Sequence, residues 1–128
     1  MVESLKILLV EDDAFVRLIL TESLQDSGFA VTTDSDGKEA IERLQGGFQP
    51  DIVITDMRMA NVQGAAVIMF AKINRPEMPV IAMSGGGMTE ATDTLTLAKK
   101  AGADRIFEKP IDINALEKAI LELTSPAA

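Results

Sequence analysis

The sequence contains no cysteine, no histidine, no tryptophan and no tyrosine. Without cysteine there is no disulfide, no thiolate nucleophile and no sulfur ligand for a soft metal. Without histidine, the commonest general base near neutral pH and the imidazole metal ligand are also missing. Any metal held by these side chains is therefore a hard cation bound through oxygen. Cations are scarce too: 12 Lys and Arg stand against 20 Asp and Glu, a net charge of −8. That balance disfavours direct nucleic-acid binding and favours basic partners. No apolar run approaches the roughly 20 residues needed to span a bilayer, so no membrane insertion is expected. Met1-Val2-Glu3-Ser4 lacks the basic start and long apolar stretch of a signal peptide, so the expected location is the cytoplasm.

What remains is one ordinary domain. Its 128 residues are 47% hydrophobic, enough for a real core. There is no internal repeat and no low-complexity linker. Residues 1–128 are expected to form a single domain with no output domain attached.

Five strand-like runs alternate with helical patterns. The strands are expected at Leu5–Val10, Ala30–Thr33, Ile52–Thr55, Val80–Met83 and Arg105–Phe107. The first helix is expected at Ala14–Gln25, with Val16, Ile19, Leu20 and Leu24 on one face and Gly28 as its stop. The second starts near Asp36, with Glu39 three residues on in a capping-box-like arrangement, and ends at Gly46-Gly47. The third runs from Gly64 to Ile73 and is broken by Asn74-Arg75-Pro76. The fourth, Thr89–Ala101, has a Thr-rich centre that alternates like a strand. It is assigned as helix because parallel strands need a crossover. The fifth is capped by Asp112, with Ile113, Leu116, Ala119, Ile120 and Leu123 at helical spacing. Alternation of this kind predicts a parallel, doubly wound α/β sheet.

Four of the apolar runs end in chemistry. Leu5–Val10 runs into Glu11-Asp12-Asp13, Ile52–Thr55 into Asp56, Val80–Met83 into Ser84, and Ile106-Phe107, after Glu108, into Lys109-Pro110. In open α/β sheets the ligand sits at the carboxyl ends of the strands, so these residues should converge on one crevice. Adjacent carboxylates repel one another, and a divalent cation relieves that repulsion. The structural alternative is that Asp13 caps the first helix and the other two acids are solvated. Asp56 is the candidate nucleophile for aspartyl-phosphate chemistry, the alternative being a strand-end Asp that caps a turn. Ser84 can donate to a phosphoryl oxygen, and Gly85 and Gly86 let backbone N–H groups approach; alone, the run is equally a plain turn. Lys109 offers a point charge, although a solvated surface lysine is the usual fate of that residue. The bond to Pro110 is one that can be cis.

Taken together and in order, these segments resemble the response-regulator receiver domain of two-component signalling, the CheY-like family. Leu8-Leu9-Val10-Glu11-Asp12-Asp13 resembles its acidic segment, and Asp56-Met57-Arg58-Met59 followed by Gly64 its acceptor segment. Val80–Gly85 resembles its hydroxyl segment, and Ala101–Asp104 through Lys109-Pro110 its closing segment. The resemblance implies a flavodoxin-like (βα)5 fold with strand order 2-1-3-4-5. It implies that Asp56 accepts a phosphoryl group from a sensor histidine kinase or histidine phosphotransferase. It implies Mg²⁺, with Mn²⁺ as the alternative, held by Glu11, Asp12, Asp56 and the Arg58 backbone carbonyl. Ser84, Lys109 and the backbone of Met57 and Gly85 would contact phosphoryl oxygens. Ser84 and the strand-5 switch position would then remodel the face of helix 4, strand 5 and helix 5 for a downstream target protein. The family is a phosphoacceptor rather than a turnover enzyme, though it assists its own phosphorylation and dephosphorylation.

Three departures from the family pattern, at four positions, matter. Ala60 stands where Pro is usual, Ile106 where the switch aromatic is usual, and Arg58 and Gly86 occupy positions that tune phosphoryl lifetime. Phe107, one place after Ile106, should face the other side of its strand. Two other readings compete. One is a haloacid-dehalogenase-like phosphatase, which usually carries Asp-x-Asp after its first strand; here the acceptor ends the third and Arg58 fills the second position. The other is a degenerate receiver that binds a partner without being phosphorylated.

Overall fold

The computed structural model describes residues 4–59, 62–85 and 88–125. Five strands and five helices alternate in chain order: β1 Lys6–Val10, α1 Ala14–Asp26, β2 Ala30–Asp34, α2 Gly37–Gln45, β3 Ile52–Asp56, α3 Gly64–Asn74, β4 Val80–Ser84, α4 Met88–Ala101, β5 Arg105–Glu108 and α5 Ile113–Thr124. All ladders are parallel and the sheet order is β2-β1-β3-β4-β5. Every expected element is present, with ends moved by one residue. The strands extend to Asp34, Asp56, Ser84 and Glu108 because the ladders continue onto these polar residues.

Period-2 alternation divides the core between the two faces of the sheet. Leu8, Val10, Val53, Val80 and Ala82 face α2, α3 and α4, where they meet Ala40, Val67, Ile68, Ala71 and Ala98. Ile7, Leu9, Ile52, Ile54, Ile81 and Met83 face α1 and α5, where they meet Leu20, Leu24, Leu116, Ala119 and Ile120. Strands β3 and β4 are buried along their whole length, which is why they read as unbroken apolar runs. Each fully buried Leu or Ile contributes about 2 kcal/mol of transfer free energy.

Helix ends follow their local chemistry. Asp13 accepts from the N–H groups of Phe15 and Val16, so the capping role expected of it holds. Asp112 caps α5 through Ala115 N–H, and Asp36 caps α2 through Glu39 N–H. The Glu39 carboxylate bonds Ser35 N–H at 3.0 Å and Ser35 Oγ at 2.6 Å, so the return arm of the box reaches Ser35. Gly28 ends α1 with φ +97°, and its N–H and that of Phe29 bond the carbonyls of Gln25 and Leu24.

One helix face differs from expectation. Leu20 and Leu24 of α1 are buried and Val16 is half-buried, but Ile19 is 44% exposed. The helix meets the sheet along a narrower stripe than the apolar periodicity suggests. For α4, the Thr-rich centre carries low helix propensity. We expect its amides to exchange fastest among the five helices. Hydrogen exchange showing α4 as protected as α5 would contradict this.

Candidate functional site

The sheet changes direction between β1 and β3: the chain leaves β1 toward β2 and returns to place β3 on β1's other side. A crevice opens at the carboxyl ends of the strands at such a point. Glu11 and Asp12 follow β1, Asp56 ends β3, Ser84 ends β4, and Lys109 follows β5. The structure brings all five together.

Glu11 is wholly buried, so the reading in which it is simply solvated fails; Asp12 is exposed and Asp56 is 4% exposed. Carboxylate oxygens of Glu11, Asp12 and Asp56 lie within 4.8 Å of one another. The Lys109 ammonium reaches over them, 2.6 Å from Glu11 Oε1 and 2.9 Å from Asp56 Oδ2. With all four groups ionised, three negative charges face one positive charge. Ser84 Oγ is fully buried and has no hydrogen-bond partner among the described residues. An unpaired buried hydroxyl costs about 1–3 kcal/mol, which a hydrogen-bonding ligand would recover. Ser84's own carbonyl accepts from Lys109 N–H at 2.8 Å, tying the two strand ends together. The Lys109–Pro110 peptide bond is cis.

One backbone amide is engaged elsewhere than expected. Met57 N–H does not face the acceptor oxygens; it donates to the Met83 carbonyl at 2.9 Å, prolonging the β3–β4 ladder. The next amide, Arg58 N–H, is the one turned to Asp56 Oδ1, at 3.3 Å. Gly85 is exposed, and a Cβ built there meets nothing within 4 Å. Gly64 is constrained: a Cβ there would collide with the Asp56 carbonyl oxygen and lie 2.7 Å from Met57 Cα. The start of α3 thus packs directly on the acceptor backbone, and only glycine fits. Ala60 and Gly86 lie outside the described residues.

Ile106 packs with the α3–α4 half of the core and Phe107 with the α1–α5 half. The two side chains therefore face opposite sides, as strand alternation requires.

Three contacts at the acidic turn leave no clear mark in the sequence. Arg17 Nη1 donates to the Glu11 carbonyl at 2.8 Å. The Asp34 carbonyl accepts from Glu11 N–H at 3.1 Å, while its buried carboxylate makes a two-pronged ion pair with Arg43 at 2.9 Å in each arm. Glu11 Oε2 accepts from Asp13 N–H at 3.1 Å. The acidic turn is thus held from α1, from β2 and from within. The only sequence signal for Asp34 is that it, too, ends a strand.

Burial pushes the Glu11 carboxyl up to about 7, and the Asp56 charge adds to the shift; Lys109 and Asp13 N–H pull it down without cancelling it. Burial opposes the Lys109 charge, but its bonds to Glu11 and Asp56 outweigh this and raise its pKa. Between about 4.5, the ordinary value, and about 7, the folded protein holds a proton on Glu11 that the unfolded chain has lost. Stability therefore falls as pH rises through that window, by about 3 kcal/mol from this group, and is flat above it. Metal-free melts across the window should show the slope, and Glu11→Gln should flatten it; an unchanged slope in that variant refutes the assignment.

The model of the response regulator receiver domain matches residues 7–121. This chain belongs to that family. The receiver is 34% identical to a response regulator receiver protein from Sinorhizobium medicae WSM419, with a TM-score of 0.81 over 95% of both chains. It is 32% identical over 105 residues to the DNA-binding transcriptional regulator NtrC of Escherichia coli K12, covering 82% of this chain and 22% of that protein. It is 33% identical over 126 residues to the probable transcriptional regulator ycf27 of Guillardia theta, covering 96% of this chain and 48% of that protein. The receiver thus spans from about a fifth to about half of these curated relatives. No helix among its described residues is long and apolar enough to cross a membrane.

Proposed function

We propose that this receiver accepts a phosphoryl group on Asp56 from a phosphohistidine of a sensor kinase or histidine phosphotransferase. The observation that carries the reading is the juxtaposition of Asp56, Lys109 and the buried, unpartnered Ser84 Oγ at one crevice. An Asp56 carboxylate oxygen bonds to phosphorus as the phosphorus–nitrogen bond breaks, and the leaving imidazole keeps the electron pair. Lys109 and Ser84 bind phosphoryl oxygens, and the amide of Arg58 joins them in place of that of Met57. The degenerate-receiver reading rests only on Ile106 standing where the switch aromatic is usual; the groups that phosphoryl transfer needs are all at the crevice.

The acidic set fits Mg²⁺. Glu11, Asp12 and Asp56 offer only hard oxygen donors, clustered within 4.8 Å, with an excess of negative charge. With the Arg58 carbonyl they would hold the ion, or Mn²⁺ in its place. Mg²⁺ bound there supplies charge neutralisation to phosphoryl oxygens during transfer. Lys109 must share its two carboxylates with the ion.

A shallow apolar groove lined by Phe15, Val16, Ile19, Pro110 and Ile111 adjoins Lys109, and its exposed Phe15 supports donor docking there. The output is a changed α4–β5–α5 face, offered to a downstream protein or used for onward relay. Ile106 would act there by aliphatic repacking rather than by rotation of an aromatic ring. The domain acts in the cytoplasm as a phosphoacceptor and not as a turnover enzyme. Its charge of −8 opposes direct contact with nucleic acid.

The test is a backbone-amide NMR titration with Mg²⁺ and then beryllofluoride, a mimic of the aspartyl-phosphate. Shifts at Glu11, Asp12, Arg58, Ser84 and Lys109 are expected, spreading to α4 and β5. Silence toward both probes would overturn the phosphoacceptor reading. Shifts confined to the crevice would overturn the switched output alone.

A further inference from the structure

No proline stands between Asp56 and Gly64, so the covalent chain does not fix the backbone of the segment that carries Arg58. Bonds from the start of α3 do so instead. Gly64 N–H donates to the Met57 carbonyl at 3.1 Å. The Gln63 side chain reaches back to Met59 with both ends of its amide. Its Nε2 donates to the Met59 carbonyl at 3.0 Å, and its Oε1 accepts from Met59 N–H at 3.4 Å. Arg58 therefore lies between two anchored neighbours. Val62, just before Gln63, is backed by α2, since a Cβ on Gly37 would collide with the Val62 carbonyl oxygen.

Planarity turns these anchors into aim. The N–H and C=O of one trans peptide point in opposite directions. The Met57 carbonyl shares its peptide with Arg58 N–H, so the bond from Gly64 sets the heading of the amide that faces Asp56 Oδ1. Met59 N–H shares its peptide with the Arg58 carbonyl, so the bond to Gln63 sets the heading of that carbonyl. Gln63 is also the N-cap residue of α3, where short oxygen-bearing side chains are favoured. Its side chain makes no cap bond, whereas Asp13, Asp36 and Asp112 cap α1, α2 and α5. Gln63 is exposed, so core packing does not account for it either. Its bonds are spent on the loop and not on the helix.

We propose that Gln63 is a positioning residue for Mg²⁺ binding: its carboxamide braces the Met59 backbone and thereby presets the Arg58 carbonyl. Gln63 acts through Arg58 and not by contact with the ion. The proposal rests on the reading of that carbonyl as a metal ligand. A donor held in place beforehand loses less freedom when the ion arrives, so bracing shows as affinity.

Amide hydrogen exchange and a Mg²⁺ titration, both followed by NMR on the parent, Gln63→Ser and Gln63→Met, test it. Serine is too short to span to Met59 but can cap α3. Methionine keeps the length of glutamine without its amide. In both variants Met59 N–H should exchange faster than in the parent, and Mg²⁺ should bind about threefold to tenfold more weakly, the range expected for one lost hydrogen bond. Gln63→Ser should melt no lower than the parent, because its hydroxyl can accept from an N–H of the first turn of α3. Weaker Mg²⁺ binding without lower stability is not what a merely structural residue produces. Unchanged exchange at Met59 overturns the proposal. So does a loss of affinity confined to Gln63→Met, or accompanied in Gln63→Ser by a fall in melting temperature, either of which makes Gln63 a structural residue. A parent that binds no Mg²⁺ overturns the metal reading and this proposal with it. A parent that binds Mg²⁺ no better than both variants do overturns this proposal alone.

Discussion

An Asp56→Asn protein is expected to take up no phosphoryl label while folding as the parent does. The amide has the shape of the carboxylate but no anionic oxygen to attack phosphorus, so acceptance should drop to background with a phosphohistidine donor. The fold should survive because the change is local and nearly isosteric. Lys109 loses one of its two carboxylate partners, but Glu11 Oε1, at 2.6 Å, remains. Repulsion between Asp56 and the neighbouring acids is relieved at the same time. These effects oppose each other, and the net change in stability should stay within about 1 kcal/mol. A second signature separates loss of the acceptor from loss of the fold. The Asp56 charge helps raise the Glu11 carboxyl, so the pH window over which metal-free stability falls should end lower in the variant. Stoichiometric labelling of Asp56→Asn would remove Asp56 from the proposed reaction.

The strand ends are legible because parallel strands buried on both faces write themselves as unbroken apolar runs, and each run stops at the residue that meets solvent or ligand. That is why Glu11, Asp56, Ser84 and Lys109 stand out from their neighbours in the chain, and why their meeting at one edge follows from the alternation of elements. What is not legible depends on pairing across the sheet or on helix rotation. Met57 N–H is consumed by Met83, a residue 26 positions away whose register no local pattern reveals. Arg17 reaches the Glu11 carbonyl only because α1 starts at Ala14 and turns that residue back over the acidic turn. The ion pair of Asp34 with Arg43 needs α2 to lie against β2. Ile19 repeats with Leu20 and Leu24 at helical spacing, but periodicity does not report how wide a stripe the sheet covers. Burial of Glu11 is likewise invisible, because three adjacent acids look the same in sequence whether solvated or enclosed.

Replacing Lys109 by Met should convert the site from a compensated cluster into a pair of opposed buried carboxylates. Methionine retains the length and apolar stem of lysine and removes only the ammonium. Glu11 and Asp56 side chains are 0% and 6% exposed, and that of Lys109 is 22% exposed, so solvent cannot replace what is lost. Breaking such a pair by deleting one partner costs about 3–5 kcal/mol when both charges are buried, and the partial exposure of Lys109 places the expected loss near about 3 kcal/mol at pH 8. The loss should depend on pH in a defined direction. Lys109 pulls the Glu11 carboxyl down from where burial alone would put it, so its removal moves that group above about 7. The variant then keeps a proton on Glu11 over a wider range. Its deficit should be smaller near pH 5, where Glu11 is neutral in both proteins and only the pairing with Asp56 is lost, and should grow as pH rises through and beyond 7. Mg²⁺ should recover part of the deficit at pH 8, since a cation that binds only the folded state stabilises it. Phosphoryl acceptance should still be poor in that rescued protein, because Lys109 contacts the phosphoryl group as well as the acids. Urea unfolding at both pH values, with and without Mg²⁺, checks each part. An equal deficit at pH 5 and pH 8 would mean that Lys109 does not act through the Glu11 charge.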